Sequence, residues 1–377
     1  MNSIILPPKC LGILGGGQLG MMLALVAKQF GYQVVVLEAD ANCPASRVAD
    51  KVIVASYGDN NALDEMASIC DVITTEFENV PVHAVEYLNQ STPVYPSASA
   101  LLIAQNRLKE KTFFRSLGLE TANFIAINNA TDCVSVQDDF FPAILKTSTL
   151  GYDGKGQIRV NSVAELEVAY RQLGGECILE QMVQLASEVS IIVARNNTGS
   201  AVYPLIENQH RNGILDVSYI PAKTSADISA KAQQAALVIV DGLNYIGLLT
   251  IEFFITTDGR LLINEIAPRP HNSGHITIEV ATTSQFEQQL RAVCGLPLGA
   301  TGLKSKGAML NLLGDIWLND SISPEEILLT ELPEAKYHSY GKAIAKAGRK
   351  MGHISISNTS HEVLVDSITL LKHRLGI

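Results

Sequence analysis

Two glutamates on a predicted β-hairpin give the clearest chemical signal in the sequence. Glu252 lies in TIEFF and Glu265 in INEIA, and Asp258-Gly259 between them favours a tight turn. Across such a turn the two carboxylates can face each other on one side of a sheet. Like charges in apolar strands need a cation between them, and Mg²⁺ prefers carboxylates together with substrate phosphates. With the neighbouring Asn264, the pair predicts a magnesium site; an exposed pair of strand residues is the alternative.

A polar loop, RPHNSGH, follows the hairpin directly. Arg269 could hold an anionic oxygen, and His271 and Asn272 could position or deprotonate a small substrate. His275 at the end of the loop is also compatible with a purely structural role. The loop is therefore predicted to border the metal site.

A lysine and a glycine-rich loop form a candidate phosphate site. Lys146 ends the predicted strand PAILKTS, and the loop GYDGKGQ follows it. Glycines let backbone N–H groups wrap phosphates, and the arrangement resembles the logic of kinases although no Walker A motif is present. A plain hairpin connection is the alternative. The loop consists of Gly151, Tyr152, Asp153, Gly154, Lys155, Gly156 and Gln157.

A further strand could contact a nucleoside. It ends in EQMV, and the backbone of such a strand end can meet a purine edge. Glu188, shortly after it, could bind ribose hydroxyls, although a surface glutamate is the ordinary interpretation. The strand end is formed by Glu180, Gln181, Met182 and Val183.

The N-terminal segment carries a glycine motif between a predicted strand and helix. Gly15, Gly17 and Gly20 have the GxGxxG spacing, and Glu38 ends the next strand. This pattern is typical of dinucleotide binding and by itself favours an NAD-dependent oxidoreductase. Any anion at a helix N-terminus, or close packing alone, would favour the same glycines. Gln18 could help to hold a phosphate or a base.

Near the C-terminus, YGKAIAKAGRKMGH forms a basic cluster that includes Lys342 and Arg349. A solvated surface is the usual explanation for such a cluster. A phosphate-holding role is the alternative.

Composition limits the classes of function. The 377 residues carry a formal charge of −10 and are 47% hydrophobic, which indicates a globular protein and disfavours a nucleic-acid partner. The six cysteines form no CxxC pair, so we expect buried free thiols in a reducing compartment and no zinc site. No apolar run approaches the ~20 residues of a membrane span. We expect a cytoplasmic protein without a membrane partner.

The hydrophobic patterns predict a multidomain chain of mixed α/β and α+β class. Residues 10–80 alternate strands and helices, which predicts a parallel sheet covered by helices. A longer helix is predicted over about 99–117, then a strand-rich region and a final amphipathic helix. The domain boundaries are predicted at 1–112, 113–185, 186–298 and 299–377.

Taken in order, these motifs resemble the ATP-grasp superfamily. More narrowly, nearly the whole chain is similar to the family of ATP-dependent 5-(carboxyamino)imidazole ribonucleotide synthases of purine biosynthesis. The resemblance implies a Rossmann-like pre-ATP-grasp domain, a lid, a central domain with the metal site and a small C-terminal domain. The similar stretches are GGGQLG, TEFENVP, QNRLKEK, KTSTLGYDGKGQ, ENQHRNGIL, NEIAPRPHNSGH and GRKMGH.

The resemblance also implies binding roles, with ATP, bicarbonate and aminoimidazole ribonucleotide as small-molecule substrates and two Mg²⁺ ions as the expected cofactor. Catalytic roles fall on Asp153, as proton relay, and on Lys155, Arg269, His271 and Asn272, the last three around bicarbonate. ATP would be bound by Arg107, Lys146, residues 151–157, residues 180–183, Glu188, His210, Asn264 and Glu265. The metal ligands would be Glu252, Glu265 and Asn264. The ribonucleotide would contact Gln18, Glu76, Tyr152, Asp153, Lys342 and Arg349.

One position departs from the family pattern: Met21 stands where an arginine commonly follows GGGQLG. Alternatives remain open at this point. They are another ATP-grasp ligase, such as a formate-using transformylase or a biotin carboxylase, the oxidoreductase, and an inactive scaffold. A homodimer is the default expectation for such enzymes.

Overall fold

A computed structural model describes residues 4–151, 156–319, 323–330 and 333–377. The predicted site residues Tyr152, Asp153, Gly154 and Lys155 lie outside these ranges. Three sheets organise the described part of the chain, with five, nine and four strands.

The first sheet is parallel, as the alternation of strands and helices predicts, with the order β3-β2-β1-β4-β5. Its central strand β1 is buried along its whole length because helices cover both faces. The strands are β1 Cys10–Leu14, β2 Gln33–Glu38, β3 Lys51–Val54, β4 Val72–Thr75 and β5 Val94–Tyr95. The helices are α1 Gln18–Gln29, α2 Asn60–Ile69, α3 Val82–Leu88, α4 Ala98–Ala104 and α5 Arg107–Ser116, with a 3-10 turn at Pro44–Arg47.

The single helix predicted over 99–117 is wrong, because two helices occupy this stretch. The break falls at Asn106, whose side chain accepts hydrogen bonds from the N–H groups of Leu108 and Lys109 and so starts α5 anew. The break places Arg107 in the first turn of α5.

The second sheet is antiparallel and has the order β6-β9-β7-β8. Its strands are β6 Phe124–Ile127, β7 Ala143–Thr147, β8 Gln157–Val160 and β9 Cys177–Gln181, and α6 Ala130–Val134 and α7 Val163–Leu173 pack together beside it. Cys133 and Leu166 are buried in the apolar cluster beneath these helices.

The third sheet has nine strands and the order β15-β14-β10-β12-β13-β16-β18-β17, with β11 beside β10. It contains the predicted hairpin as β14 and β15, and it continues across the predicted boundary at 298/299. The four-domain division stays a prediction. The strands are β10 Leu185–Asn196, β11 Gly199–Val202, β12 Ile206–Arg211, β13 Ile214–Ile220, β14 Gly247–Thr256, β15 Leu261–Ala267, β16 Lys306–Leu313, β17 Lys336–Ser339 and β18 Lys350–Asn358. The remaining helices are α8 Ala226–Gly242, α9 Thr277–Val280, α10 Gln285–Val293, α11 Pro324–Thr330 and α12 His361–Leu375.

All six cysteines are buried free thiols, as predicted. In the part of the chain that the structure describes, no helix has the length and apolarity needed to cross a membrane.

Candidate active site

A cavity of about 630 Å³ is lined by residues of the four-stranded and nine-stranded sheets and by helix and loop residues of the parallel-sheet domain. It gathers most of the predicted site residues that the structure describes, although they are far apart in sequence. The predicted residues that line it are Gln18, Glu76, Arg107, Lys146, Gly151, Gln157, Glu188, His210, Glu252, Asn264, Glu265, Arg269, His271 and Asn272. Glu180, Gln181, Met182, Val183, Gly156, Lys342 and Arg349 lie outside the lining.

The β14–β15 hairpin places three oxygen ligands together. Glu252 is the register partner of Glu265, and a bulge leaves Asn264 as an extra residue between two paired positions. Because strand residues normally alternate between faces, Asn264 and Glu265 would otherwise point to opposite sides. With the bulge, all three residues line the cavity.

These residues fit a magnesium ion that is completed by phosphate oxygens. Both carboxylates already contact cationic or hydrogen-bonding groups: Arg107 Nη1 lies 2.8 Å from Glu265 Oε2, and His271 Nε2 lies 3.0 Å from Glu252 Oε1. Burial opposes ionisation of Glu252, but the hydrogen bond and charge of His271 outweigh it and lower the pKa of this carboxyl to about 2. Among the described residues no group of three His, Cys, Asp or Glu side chains is placed to hold a metal alone. Mg²⁺ commonly takes one or two carboxylates plus substrate phosphates, which matches this set.

Lys146 belongs to a buried network of ion pairs. Its Nζ lies 2.9 Å from Glu180 Oε2, and Lys111 Nζ approaches the same oxygen at 3.6 Å. Burial opposes ionisation of Glu180, and the two lysines outweigh it and lower the pKa of its carboxyl. Oε2 of Glu180 thus serves both lysines, whereas Oε1 is buried without a hydrogen-bond partner in the described part of the chain.

Helix α5 supports strand β15 through three contacts. Besides the Arg107 pair, Lys111 Nζ donates to the carbonyl of Asn264 (3.1 Å), and the Glu110 carboxylate accepts from the N–H of Ile266 (2.7 Å). Sequence analysis missed Glu110 and Lys111. Their positions three and four residues after Arg107, on the same helix face, are the signal that could have found them.

Glu188 and His210 form the candidate ribose site. They lie on adjacent strands β10 and β12, with Glu188 Oε2 3.2 Å from His210 Nδ1. Burial lowers the pKa of His210, but the hydrogen bond and charge of Glu188 outweigh this effect, and the net shift is upward.

A carboxylate of the protein occupies the glycine motif. Glu76 accepts hydrogen bonds from the N–H groups of Gly17 and Gly20, both at 2.6 Å, and Glu38 accepts from Gly16 at 3.0 Å. A Cβ atom at Gly17 would lie 2.4 Å from Glu76 Oε1. The glycines therefore admit Glu76, and the position where a pyrophosphate would bind in a dinucleotide enzyme is filled.

The loop after the hairpin is anchored at Arg269. Its guanidinium forms an ion pair with Glu78, with Nη2 3.2 Å from Oε1, and donates to the carbonyl of Pro270. Burial opposes ionisation of Glu78, but the charge and hydrogen bonds of Arg269 lower the pKa of its carboxyl to about 2. In the same loop both polar side-chain atoms of Asn272 are buried without a partner in the described chain. Such an amide is costly unless a bound molecule satisfies it.

The basic C-terminal segment lies at the edge of the cavity. Lys342 Nζ donates to the carbonyl of Lys350 at 2.8 Å, and Lys350 itself lines the cavity. Burial, followed by the charge of Arg349, lowers the pKa of the Lys342 amine to about 8. Arg349 donates to the carbonyl of Ile344 at 2.8 Å.

Solved structures with the same architecture contain nucleotides. The ADP complex of an N5-carboxyaminoimidazole ribonucleotide synthetase superposes with a TM-score of 0.93 at 42% identity, covering 99% of this chain and 100% of that one. An N5-carboxyaminoimidazole synthase from Aspergillus clavatus in complex with ADP and 5-aminoimidazole ribonucleotide has a TM-score of 0.89 at 31% identity. This match covers 98% of both chains.

Three domain families match consecutive parts of the chain. They are the ribonucleotide synthetase preATP-grasp domain over residues 9–105, the ATP-grasp domain over 112–286 and the phosphoribosylaminoimidazole carboxylase C-terminal domain over 307–367. Fold and site therefore define an ATP-grasp ligase, which confirms the predicted fold class. The N5-carboxyaminoimidazole ribonucleotide synthase of Bacillus subtilis (strain 168) is 44% identical over 376 residues, 98% of this chain and 96% of the relative. The chain belongs to the N5-carboxyaminoimidazole ribonucleotide synthase family, and the oxidoreductase interpretation is wrong.

Proposed function

We propose that the protein carboxylates 5-aminoimidazole ribonucleotide with ATP and bicarbonate, forming N5-carboxyaminoimidazole ribonucleotide, ADP and phosphate in purine biosynthesis. The observation that carries the proposal is the single cavity that unites Lys146, the facing pair Glu252–Glu265 and the Arg269–Asn272 loop. Family membership over nearly the full length of the chain supports the same reaction.

ATP binds between the four-stranded and nine-stranded sheets in this proposal. Lys146 and Arg107 supply positive charge for the phosphates, and Glu188 with His210 is placed to bind the ribose. The strand end 180–183 offers backbone groups to the adenine, and the loop 151–157 closes over the phosphates. Gly151 and Gln157 at the two ends of that loop line the cavity, which supports this placement.

Glu252, Asn264 and Glu265 would hold Mg²⁺, with two ions expected. The bound metal would neutralise charge that develops on the phosphate oxygens during phosphoryl transfer. Arg107 contacts Glu265 and keeps that carboxylate directed into the cavity.

Bicarbonate binds beside the loop after the hairpin. Three of the five N–H groups of Arg269 are engaged by Glu78 and Pro270, which leaves two for an anion. The unpartnered amide of Asn272 supplies a further donor and an acceptor. A bicarbonate oxygen attacks the γ-phosphorus, the bond to the bridging oxygen breaks, and carboxyphosphate and ADP form.

The ribonucleotide binds next to the bicarbonate loop, with Lys342 and Arg349 at its phosphate and Gln18 and Glu76 nearby. Its exocyclic amine forms the new C–N bond with the carboxyl carbon, phosphate leaves, and one amine proton is released. Asp153 is proposed to receive that proton, with Tyr152 and Lys155 alongside. A closed cavity protects carboxyphosphate from water.

The decisive measurement is ADP release with Mg-ATP and bicarbonate, with and without aminoimidazole ribonucleotide. Strong stimulation by the ribonucleotide, with loss of its free amine, is the expected result. ADP release that is indifferent to it would refute the proposal and favour another ATP-grasp ligase. The homodimeric state and the cytoplasmic location stay predictions; sedimentation at about twice 40.6 kDa would support the dimer.

A further inference from the structure

A row of hydrogen bonds leads from Glu252 into the interior of the nine-stranded sheet. It passes through side chains of β14, the loop after the hairpin, β10, β12 and β13. The successive contacts are Glu252 Oε1–His271 Nε2 (3.0 Å), His271 Nδ1–Ser273 Oγ (2.9 Å), Ser273 Oγ–Ser190 Oγ (2.8 Å), Ser190 Oγ–Asn208 Nδ2 (2.9 Å) and Asn208 Oδ1–Ser218 Oγ (2.9 Å).

The chemistry of the groups gives this row one direction. The Asn208 amide nitrogen only donates, so Ser190 accepts from it, and among the described residues Ser273 Oγ is the acceptor left for the Ser190 proton. Ser273 then has its hydroxyl proton left for Nδ1 of His271. At the other end, the Ser218 hydroxyl donates to the carbonyl oxygen of Asn208, which agrees with the same amide orientation.

A longer backbone contact favours the same direction. The N–H of Ser273 also points at His271 Nδ1, at 3.3 Å. Because a backbone N–H cannot accept a hydrogen bond, this contact favours an unprotonated Nδ1. The remaining ring proton therefore sits on Nε2, which faces Glu252 Oε1.

We propose that Ser273, Ser190 and Asn208 are positioning residues that hold His271 as a hydrogen-bond donor to Glu252. The hydrogen bond from His271 occupies Oε1 of Glu252. Oε2 has no hydrogen-bond partner in the described part of the chain and is therefore available to bind the cation. This inference rests on the proposed function, in which Glu252 is a metal ligand. In this inference His271 orients Glu252 and does not act as a proton acceptor.

Burial makes the row resistant to rearrangement. Ser190, Ser218 and Ser273 are fully inaccessible to solvent, and Asn208 is 6% exposed. Reversing one of these hydroxyls would leave a buried donor facing a donor, and the three serines have no accessible surface at which a water could compensate. Partners that orient a ligand in this way typically change metal affinity 10–100-fold when they are removed.

The first test reads the tautomer of His271 in the full chain, without nucleotide. Histidine-selective ¹⁵N labelling separates protonated from unprotonated ring nitrogens, and a His271→Gln difference spectrum assigns the signal. The expected result is a proton on Nε2. A proton on Nδ1 in the wild-type protein would overturn the proposal.

Two variants test the row itself. Asn208→Asp removes the N–H donor, so Ser190 turns its proton to the new carboxylate and the Nδ1-protonated form of His271 increases. Ser190→Ala raises the Mg²⁺ concentration for half-maximal ADP release about 10-fold and leaves the KM for the ribonucleotide unchanged.

The matched control is Ser355→Ala, an equally buried serine of the same sheet whose hydroxyl has no partner. It should leave both the tautomer and the Mg²⁺ requirement unchanged. A wild-type tautomer in Asn208→Asp, or an equal Mg²⁺ requirement in Ser190→Ala and Ser355→Ala, would refute the row. Absence of ribonucleotide-stimulated ADP release in the wild type would instead refute the proposed function, and the tautomer would still be measurable.

Discussion

At the scale of single residues, two facing glutamates are given different partners. Glu265 contacts a permanent cation, Arg107, whereas Glu252 contacts the imidazole of His271. Their side chains are 40% and 17% exposed, so Glu265 is the more open of the two. The hairpin thus offers a cation one accessible carboxylate and one that is held in place by its surroundings.

Glu265→Gln should raise the Mg²⁺ concentration needed for ADP release. The amide keeps the size of the side chain but replaces a charged oxygen ligand with a neutral one, and it weakens the contact to Arg107. Titration of activity with Mg²⁺ at fixed ATP measures the effect. Glu167→Gln, which removes a surface carboxylate paired with Arg171, is the control. Equal Mg²⁺ requirements in the two variants would remove Glu265 from the metal site.

Lys342 should make ribonucleotide use sensitive to alkaline pH. Because the folded-state pKa of its amine is about 8, the ammonium group is present below that value and is lost as the pH rises through it. The substrate phosphate is already ionised in this range. We therefore expect kcat/KM for the ribonucleotide to fall above about pH 8, and Lys342→Arg to abolish this fall because a guanidinium stays charged. An identical alkaline profile in the variant would exclude Lys342 as its source.

The sequence predicted those site residues whose relative positions are set by local structure. Glu252 and Glu265 face each other because a tight turn fixes the register of a hairpin. Glu78 was missed because its partner, Arg269, is remote in sequence, and no periodicity reports such a pair.

At the scale of elements, the start of α1 shows how one motif can serve two structures. GxGxxG correctly predicted a strand, a turn and a helix, because these need only the glycines. It did not indicate the partner of the free N–H groups, since Glu76 comes from the end of β4, elsewhere in the sheet. The secondary structure around the motif was therefore predictable, and the group that accepts hydrogen bonds from its N–H groups was not.

Glu76→Ala should destabilise the fold. The N–H groups of Gly17 and Gly20 would lose their acceptor in a partly buried site, at a cost of about 2 kcal/mol in the free energy of unfolding. Urea denaturation with an unchanged m-value measures this loss. Glu65→Ala, which breaks only the exposed pair with Lys51, should cost less than about 1 kcal/mol. Equal losses in the two variants would contradict a capping role for Glu76.

Helix α5 was predicted as part of a longer helix because its apolar spacing continues that of α4. The hydrogen bond from the N–H of Arg107 to the carbonyl of Ser148 helps to end this continuity. It ties the start of α5 to the segment directly after β7, while the side chain of Arg107 reaches Glu265 in β15. Such a tertiary contact is invisible to a pattern of local hydrophobicity.

At the scale of the whole molecule, both apolar packing and polar contacts join the parallel-sheet domain to the elements around the nine-stranded sheet. Gln289 of α10 donates to Thr74 of the parallel sheet at 2.9 Å, and Glu78 of the same domain pairs with Arg269 beside the nine-stranded sheet. Glu78 and Arg269 both line the cavity, so their ion pair also shapes its wall. The parallel character of the first sheet and the β14–β15 hairpin could be anticipated from the pattern, whereas the docking of the sheets depends on such long-range pairs.

The Glu78–Arg269 pair should make the stability of the molecule fall in acid. The pKa of Glu78 is about 2 in the folded state and near 4.5 in the unfolded chain, so the unfolded state binds more protons between these values. The stabilisation is present above about pH 4.5 and is lost as the pH falls towards 2. Its size at neutral pH is about 3 kcal/mol from the separation of the two pKa values.

Glu78→Gln tests this contribution. It should lower the free energy of unfolding at pH 7 by about 3 kcal/mol, because Arg269 is left half-buried without its counterion. The deficit relative to wild type should shrink as the pH falls from 4.5 towards 2, where the wild-type carboxyl is also protonated. Denaturation curves at several pH values measure both effects, with Glu65→Gln as the surface control. A deficit that stays constant across this range would show that Glu78 contributes through packing alone, and that its charge does not join the two units.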